Sequence, residues 1–207
     1  MTTPVLWYFA DPMCSWCWGF SPVIETVRET YRDRMAIALV LGGLRPGETT
    51  PMTAAAREEI FHHWHQVHAR TGQAFHFENA LSDGFVYDTE PASRAVVAMG
   101  SLDPTLTFPL FKTIQAAFYA EGRDVTQTRV LADLTTVLGV DASTFLRTFD
   151  SEDARTKTRA HFRQARRAGI RGFPTLLLQR DTQLFPICNG SLPLDDVRRN
   201  IDAHLAG

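Results

Sequence analysis

The sequence predicts an α/β fold in which a strand–helix–strand half and a strand–strand–helix half enclose a helical subdomain. Two patterns predict it. Short continuous apolar runs, the mark of buried strands, stand at residues 5–10, 35–41 and 175–179. Between residues 49 and 160 such runs vanish and helical stripes follow one another. A third observation fixes the chemistry: Cys14 and Cys17 lie where the first strand hands over to the first helix.

Val5-Leu6-Trp7-Tyr8-Phe9-Ala10 is apolar throughout, and Asp11-Pro12 closes it because proline cannot donate to a ladder. Phe20, Val23, Ile24, Val27 and Tyr31 then form one helical stripe, predicting a helix from about Cys17 to Arg32. Met35 to Leu41 is the second strand, ended by Gly42-Gly43, and a right-handed crossover makes the pair parallel. A helix starting near Pro51 runs through Ala54–Arg70 to Gly72, and Thr89-Glu90-Pro91 opens the next, to Gly100. Asp103-Pro104 starts a third helix through Phe111, Ile114, Phe118 and Tyr119 to Gly122. Pro109 inside it requires either a kink there or a true start at Thr107-Phe108. Asp124 or Thr126 caps a fourth, with Leu131, Leu134 and Leu138 inward; Asp141 opens a short fifth, and Ser151 a long one toward Arg167. Thr175 to Gln179 and Leu184 to Cys188 read as an antiparallel pair, with Pro186 placing the second at an edge. A last helix carries Leu194, Val197, Ile201 and Leu205 on one face. The division expected is residues 1–48 and 163–207 for the discontinuous sheet domain and 49–162 for the insertion.

With 207 residues, 44% of them hydrophobic and 21% charged, the chain is long enough to bury a sizeable core. A net charge of −2 argues against a nucleic-acid binder, for which a clearly basic surface is expected. No apolar run approaches the roughly 18–20 residues of a membrane span. Met1-Thr2-Thr3-Pro4 enters the first strand directly and lacks a basic leader, so a cytoplasmic location is expected.

A Cys-x-x-Cys at the start of a helix is a redox pair before it is a metal site. Unpaired N–H groups and the positive end of the helix dipole favour a thiolate there. Cys14 comes first, at the exposed mouth of the helix, and is the nucleophile. Cys17, one turn in, can attack a mixed disulfide formed on Cys14. Ser15 and Trp16 between them carry no positive charge, so the pair is expected to be only moderately oxidising. Trp16 is placed to form an apolar floor for a substrate segment, and Trp18 to do the same or to join the core. Asp11 either accepts the proton that Cys17 must release or caps the helix; the sequence leaves both open.

Gly169-Ile170-Arg171-Gly172-Phe173-Pro174-Thr175 stands directly before a buried strand. A cis Phe173–Pro174 bond is tolerated in such a place and would turn the backbone of Phe173 outward to pair with an extended peptide.

The Cys14-x-x-Cys17 motif behind a first strand, Pro22 shortly after it, and Gly172-Phe173-Pro174-Thr175 before a late strand together resemble a thioredoxin fold. The helical insertion resembles the DsbA family in particular. Asp11 to Gly19 is similar to its cytoplasmic DsbA-like or FrnE-like branch. The resemblance implies a thiol–disulfide oxidoreductase with Cys14, Cys17 and Pro174 as catalytic residues, Pro174 being a cis-proline facing the cysteines. Trp16, Phe173 and Thr175 are then the candidate substrate contacts, and Asp11, Ser15 and Trp18 support the pair. Ser15-Trp16 in place of a Pro-His pair, and the missing leader, point away from the oxidising role of periplasmic members.

Of three cysteines, Cys188 has no sequence neighbour to pair with and reads as a small core residue. A zinc site would need a second ligand pair, which the chain lacks. His62, His63, His65 and His68 lie on one predicted helix and read as solvated or packed against a neighbour rather than as ligands. Arg163, Arg166, Arg167 and Arg171 read as a solvated helix end. The function expected is reduction, formation or isomerisation of protein disulfides, with no bound metal or organic cofactor and with glutathione or a redox protein as electron partner. A glutathione-dependent isomerase or transferase, and a non-enzymatic protease adaptor, are the alternatives.

Overall fold

The computed structural model describes residues 3–78 and 80–205. Met1 and Thr2, and with them the expected entry into the first strand, lie outside the described residues, as do Asn79 and the C-terminal limit at residue 207.

A four-stranded sheet of order β2-β1-β3-β4 forms the centre, from β1 (Val5–Ala10), β2 (Ala36–Leu41), β3 (Thr175–Arg180) and β4 (Gln183–Asn189). β1 pairs with β2 in parallel, Val5 opposite Ala36, and with β3 antiparallel, Tyr8 opposite Leu176. β4 pairs antiparallel to β3 with an irregularity where Cys188 faces Leu176 and Pro186 faces Leu177. Pro186 is exposed on this edge, where a missing N–H costs no ladder bond.

Helix α1 (Ser15–Tyr31) buries Phe20, Ile24, Val27 and Tyr31 of the predicted stripe and leaves Val23 half-buried. Pro22 lies inside α1 and deprives the Trp18 carbonyl of its helical donor. The Gln73 side-chain amide donates to that carbonyl instead, at 3.1 Å. Helices α2 (Ala54–Thr71), α3 (Glu90–Leu102), α4 (Thr107–Tyr119), α5 (Thr128–Val137), α6 (Ala142–Phe149) and α7 (Glu152–Arg167) make up the insertion and its return, and α8 (Leu194–Leu205) closes the chain.

Helix ends follow their local chemistry in most places. Thr53, Asp141 and Ser151 accept from N–H groups of the first turns of α2, α6 and α7, and Gly72 ends α2 with φ of 72°. One expectation needs correction and one open choice is decided. The α5 cap is neither Asp124 nor Thr126 but Gln127; the Asp124 carboxylate accepts from the Thr126 N–H and hydroxyl and closes the turn before it. The third predicted helix takes the second of its two allowed forms: residues 104–106 make a separate 3-10 turn and α4 starts at Thr107, which puts Pro109 in a first turn where no N–H is needed.

The larger core cluster takes Leu6, Tyr8 and Ala10 from one face of β1 together with α1 and the inserted helices. The smaller one takes Phe9, Val40 and Ala165 on the other face. The boundary expected at residue 162 falls inside α7, whose Phe162 reaches the larger cluster and Ala165 the smaller.

Candidate active site

Cys14 is the N-cap residue of α1, with extended backbone, and no side chain caps the first turn. Its N–H donates to the Asp11 carbonyl at 3.1 Å, closing the turn that leads from β1 into α1. Cys14 retains 6% of its surface and Cys17 none, so the ordering of access matches the sequence reading but Cys14 is more covered than an open helix mouth implies. Both are free thiols. Burial, with Cys14 beside it, pushes the Cys17 thiol well above its ordinary range.

The second segment arrives from the far end of the chain. The Phe173–Pro174 peptide bond is cis. The Cys14 thiol donates to the Phe173 carbonyl at 3.6 Å, joining residues 159 apart in sequence. That carbonyl faces the sulfur. Pro174 is buried, and its carbonyl accepts from the Gly190 N–H at 2.8 Å. Thr175 is buried too, its hydroxyl donating to the Gly172 carbonyl at 2.9 Å, which ties the loop to itself. The Phe173 ring is half-buried and lies against Gly42 at the end of β2.

Asp11 is fully buried beneath the turn. It does not cap α1. Its carboxylate accepts from the Met13 N–H at 2.9 Å and the Leu44 N–H at 2.8 Å, linking the turn to the segment after β2. Burial raises it to about 6, and these hydrogen bonds hold it from rising further. Its charge opposes ionisation of Cys17, while its backbone N–H favours it.

Trp16 and Ser15 are half-buried, and the Arg70 guanidinium lies 5.8 Å from the centre of the Trp16 ring. Trp18 joins the core, its indole N–H donating to the Ala74 carbonyl at 2.9 Å and its ring stacked on Tyr119. The connection between α2 and α3 was silent in the sequence, yet Tyr87 from it donates to the Met13 carbonyl at 2.7 Å, directly before Cys14.

Among the described residues no group of three or more potential ligands is assembled to hold a metal. His65 stacks on Phe77 with ring centres 4.1 Å apart, and the exposed His68 and His62 hydrogen-bond to the Gln73 carbonyl and the Gln66 side chain. Cys188 is buried on β4, and burial pushes its thiol up to about 12. Arg163, Arg166, Arg167 and Arg171 are exposed. No helix among the described residues is long and apolar enough to cross a membrane.

The family model of the DSBA-like thioredoxin domain matches residues 5–202, which takes in both cysteines, the helical insertion and the Phe173–Pro174 loop. The chain belongs to the DSBA-like thioredoxin domain family. Among solved structures it is 44% identical to a candidate protein disulfide isomerase from Nitrosomonas europaea, with a TM-score of 0.94 over 99% of this chain and 98% of that one. It is 31% identical to the cytosolic disulfide reductase DsbM from Pseudomonas aeruginosa in its structure with GSH, with a TM-score of 0.81 over 98% of this chain and 100% of that one. Among curated proteins it is 21% identical to the ClpXP adapter protein SpxH of Halalkalibacterium halodurans, over 85% of this chain. The match spans 58% of that adapter's length.

Proposed function

We propose that this DSBA-like protein reduces disulfides in protein substrates through Cys14 and Cys17. The observation that carries the reading is the meeting of the Cys14 sulfur, at the uncapped start of α1, with the Phe173 carbonyl at 3.6 Å, while Cys17 waits buried one turn below.

The Cys14 thiolate attacks one sulfur of a substrate disulfide; the Cys14–substrate bond forms, the substrate S–S bond breaks, and the other substrate sulfur leaves as a thiolate. First-turn N–H groups of α1 accommodate the negative charge on Cys14. Cys17 then loses its proton and attacks the Cys14 sulfur, forming the Cys14–Cys17 disulfide and releasing the second substrate thiolate. Two electrons pass from the pair to the substrate. Asp11 takes the Cys17 proton, since a carboxylate held at about 6 is ionised at neutral pH yet basic enough to receive it. Two equivalents of glutathione, or a small dithiol redox protein, return the pair to the dithiol.

Phe173, whose carbonyl meets the Cys14 sulfur, and the half-buried Trp16 are assigned to the path of the substrate chain; Pro174 and Thr175 hold the loop, and Trp18 ties the start of α1 to Ala74. The cytosolic location in the name of the DsbM relative, and its capture with GSH, support a cytoplasmic site of action and glutathione as the electron partner. The test is glutathione-coupled reduction of a protein disulfide. Cys14→Ser is expected to abolish it, and full activity in that variant contradicts the assignment. The adapter among the relatives favours a second reading, client delivery without redox chemistry. Under that reading a Cys14→Ser/Cys17→Ser double variant keeps its whole function.

A further inference from the structure

Among the described residues the sheet has two free edges, β4 and β2, and they are protected to different degrees. β4 carries Pro186 and an irregularity, devices that discourage strand addition. β2, Ala36-Ile37-Ala38-Leu39-Val40-Leu41, has neither proline nor charge. Its pairing with β1 uses the N–H groups of Ala36 and, just beyond, Gly42, so those of Ile37, Leu39 and Leu41 point away from the sheet. Leu41 donates to His161 Nδ1 at 3.2 Å. Among the described residues nothing meets the outward N–H of Ile37 or Leu39.

A cavity of about 830 Å³ opens along this edge. Val96 and Val97 of α3 and Phe108 of α4 wall one side, Ala160 and Gln164 of α7 the other. Its charged and titratable lining is Arg28, Lys157 and His161, with no carboxylate. Glu25 and Asp153, which pair with Arg28 and Lys157, stand outside the lining. Because His161 Nδ1 accepts from Leu41, the neutral ring carries its hydrogen on Nε2, a further donor. From Ile37 to Leu41 the edge offers roughly 13 Å, room for an extended segment of about five residues.

We propose that this cleft seats an extended segment of a partner polypeptide as a further strand on β2, with alternating apolar side chains and an acidic residue directed to Lys157. Main-chain bonds to Ile37 and Leu39 supply the register. Alternate side chains fall on the Val97 and Phe108 wall and on the Ala160 and Gln164 wall. The upper end of the cleft, at Leu41, adjoins Gly42 and the Phe173 ring above it, so a segment held here lies on the flank of the Cys14 site. The inference stands on the edge and the cavity and does not rest on the redox reading.

The test uses the full chain, isotope-labelled, and a cysteine-free blocked heptapeptide, Ac-Glu-Val-Ser-Val-Ser-Val-Thr-NH2, so that no thiol chemistry enters the result. Binding is expected to shift the Ile37 and Leu39 amide resonances and slow their hydrogen exchange at least about tenfold. Leu39→Pro, which removes an outward donor, weakens binding about tenfold. Lys157→Glu does so for this peptide and restores binding of one with Lys in place of Glu, a control on a half-exposed side chain should the proline variant unfold. Absence of shifts at millimolar peptide overturns the proposal. So do shifts confined to residues around Cys14 and Phe173, or edge protection that grows with protein concentration alone, which would make a second copy the occupant.

Discussion

The Phe173 ring lies on the α-carbon of Gly42: a β-carbon built there would stand 1.9 Å from Phe173 Cζ. The end of β2 thus sets the height of the loop that faces Cys14. Gly42→Ala forces the ring, and with it the Phe173 carbonyl, off its seat. Overpacking of this kind costs about 1–3 kcal/mol. Disulfide reduction is expected to fall at least roughly tenfold, since small displacements of a positioning group cost large factors in rate. A variant with unaltered turnover would show that the loop does not need this support.

Asp11 makes stability depend on pH in a defined direction. Burial raises its folded pKa to about 6 from an ordinary 3.8, so the native state binds the proton more tightly than the unfolded chain. The associated stability is complete below about pH 4 and is lost as pH rises through about 6. That pKa difference corresponds to about 3 kcal/mol. Asp11→Asn removes that slope. It also turns an amide NH2 toward either Met13 or Leu44, losing one hydrogen bond worth about 1 kcal/mol. Urea unfolding of both proteins across this range is the check, and an unchanged slope in the variant would assign the pH dependence elsewhere.

Cys188 should behave as a core residue. Its thiol is buried and pushed up to about 12, so almost none is thiolate at neutral pH. Native protein treated with iodoacetamide is expected to be modified at Cys14 well before Cys188, and Cys188→Ala to keep disulfide reduction within about twofold. Loss of turnover in Cys188→Ala would give this cysteine a relay role.

Much of this architecture is legible because it is local. The apolar runs, the α1 stripe, the Gly72 stop and the Asp141 and Ser151 caps each depend on residues a few positions apart. The Cys14 and Cys17 pair and the Gly172 to Thr175 segment were readable for the same reason. What stayed hidden joins distant parts of the chain. Tyr87 reaches Met13 from a connection with no periodicity, and Asp11 holds Leu44 instead of capping α1. Gln73 repairs the bond that Pro22 removes, and His161 covers Leu41 from α7. No spacing rule announces contacts of that kind.

The caps that were legible give a control far from the sulfur. Asp141 accepts from the Thr144 N–H at 2.9 Å and the Ser143 hydroxyl at 2.7 Å at the start of α6. Asp141→Ala is expected to cost about 1 kcal/mol. In a chain of this size that lowers Tm by about 2–4 °C. Turnover should be unchanged at temperatures where the variant is folded; a drop in both would couple α6 to the site.

The division of labour between the two sulfurs is tested most directly by trapping. Cys17→Ser is incubated with a disulfide substrate, quenched in acid, and digested for peptide mass spectrometry without reductant. A substrate mixed disulfide accumulating on the peptide that carries Cys14 is the predicted result. Adducts on Cys188, or none on Cys14 while the substrate is still reduced, would contradict it.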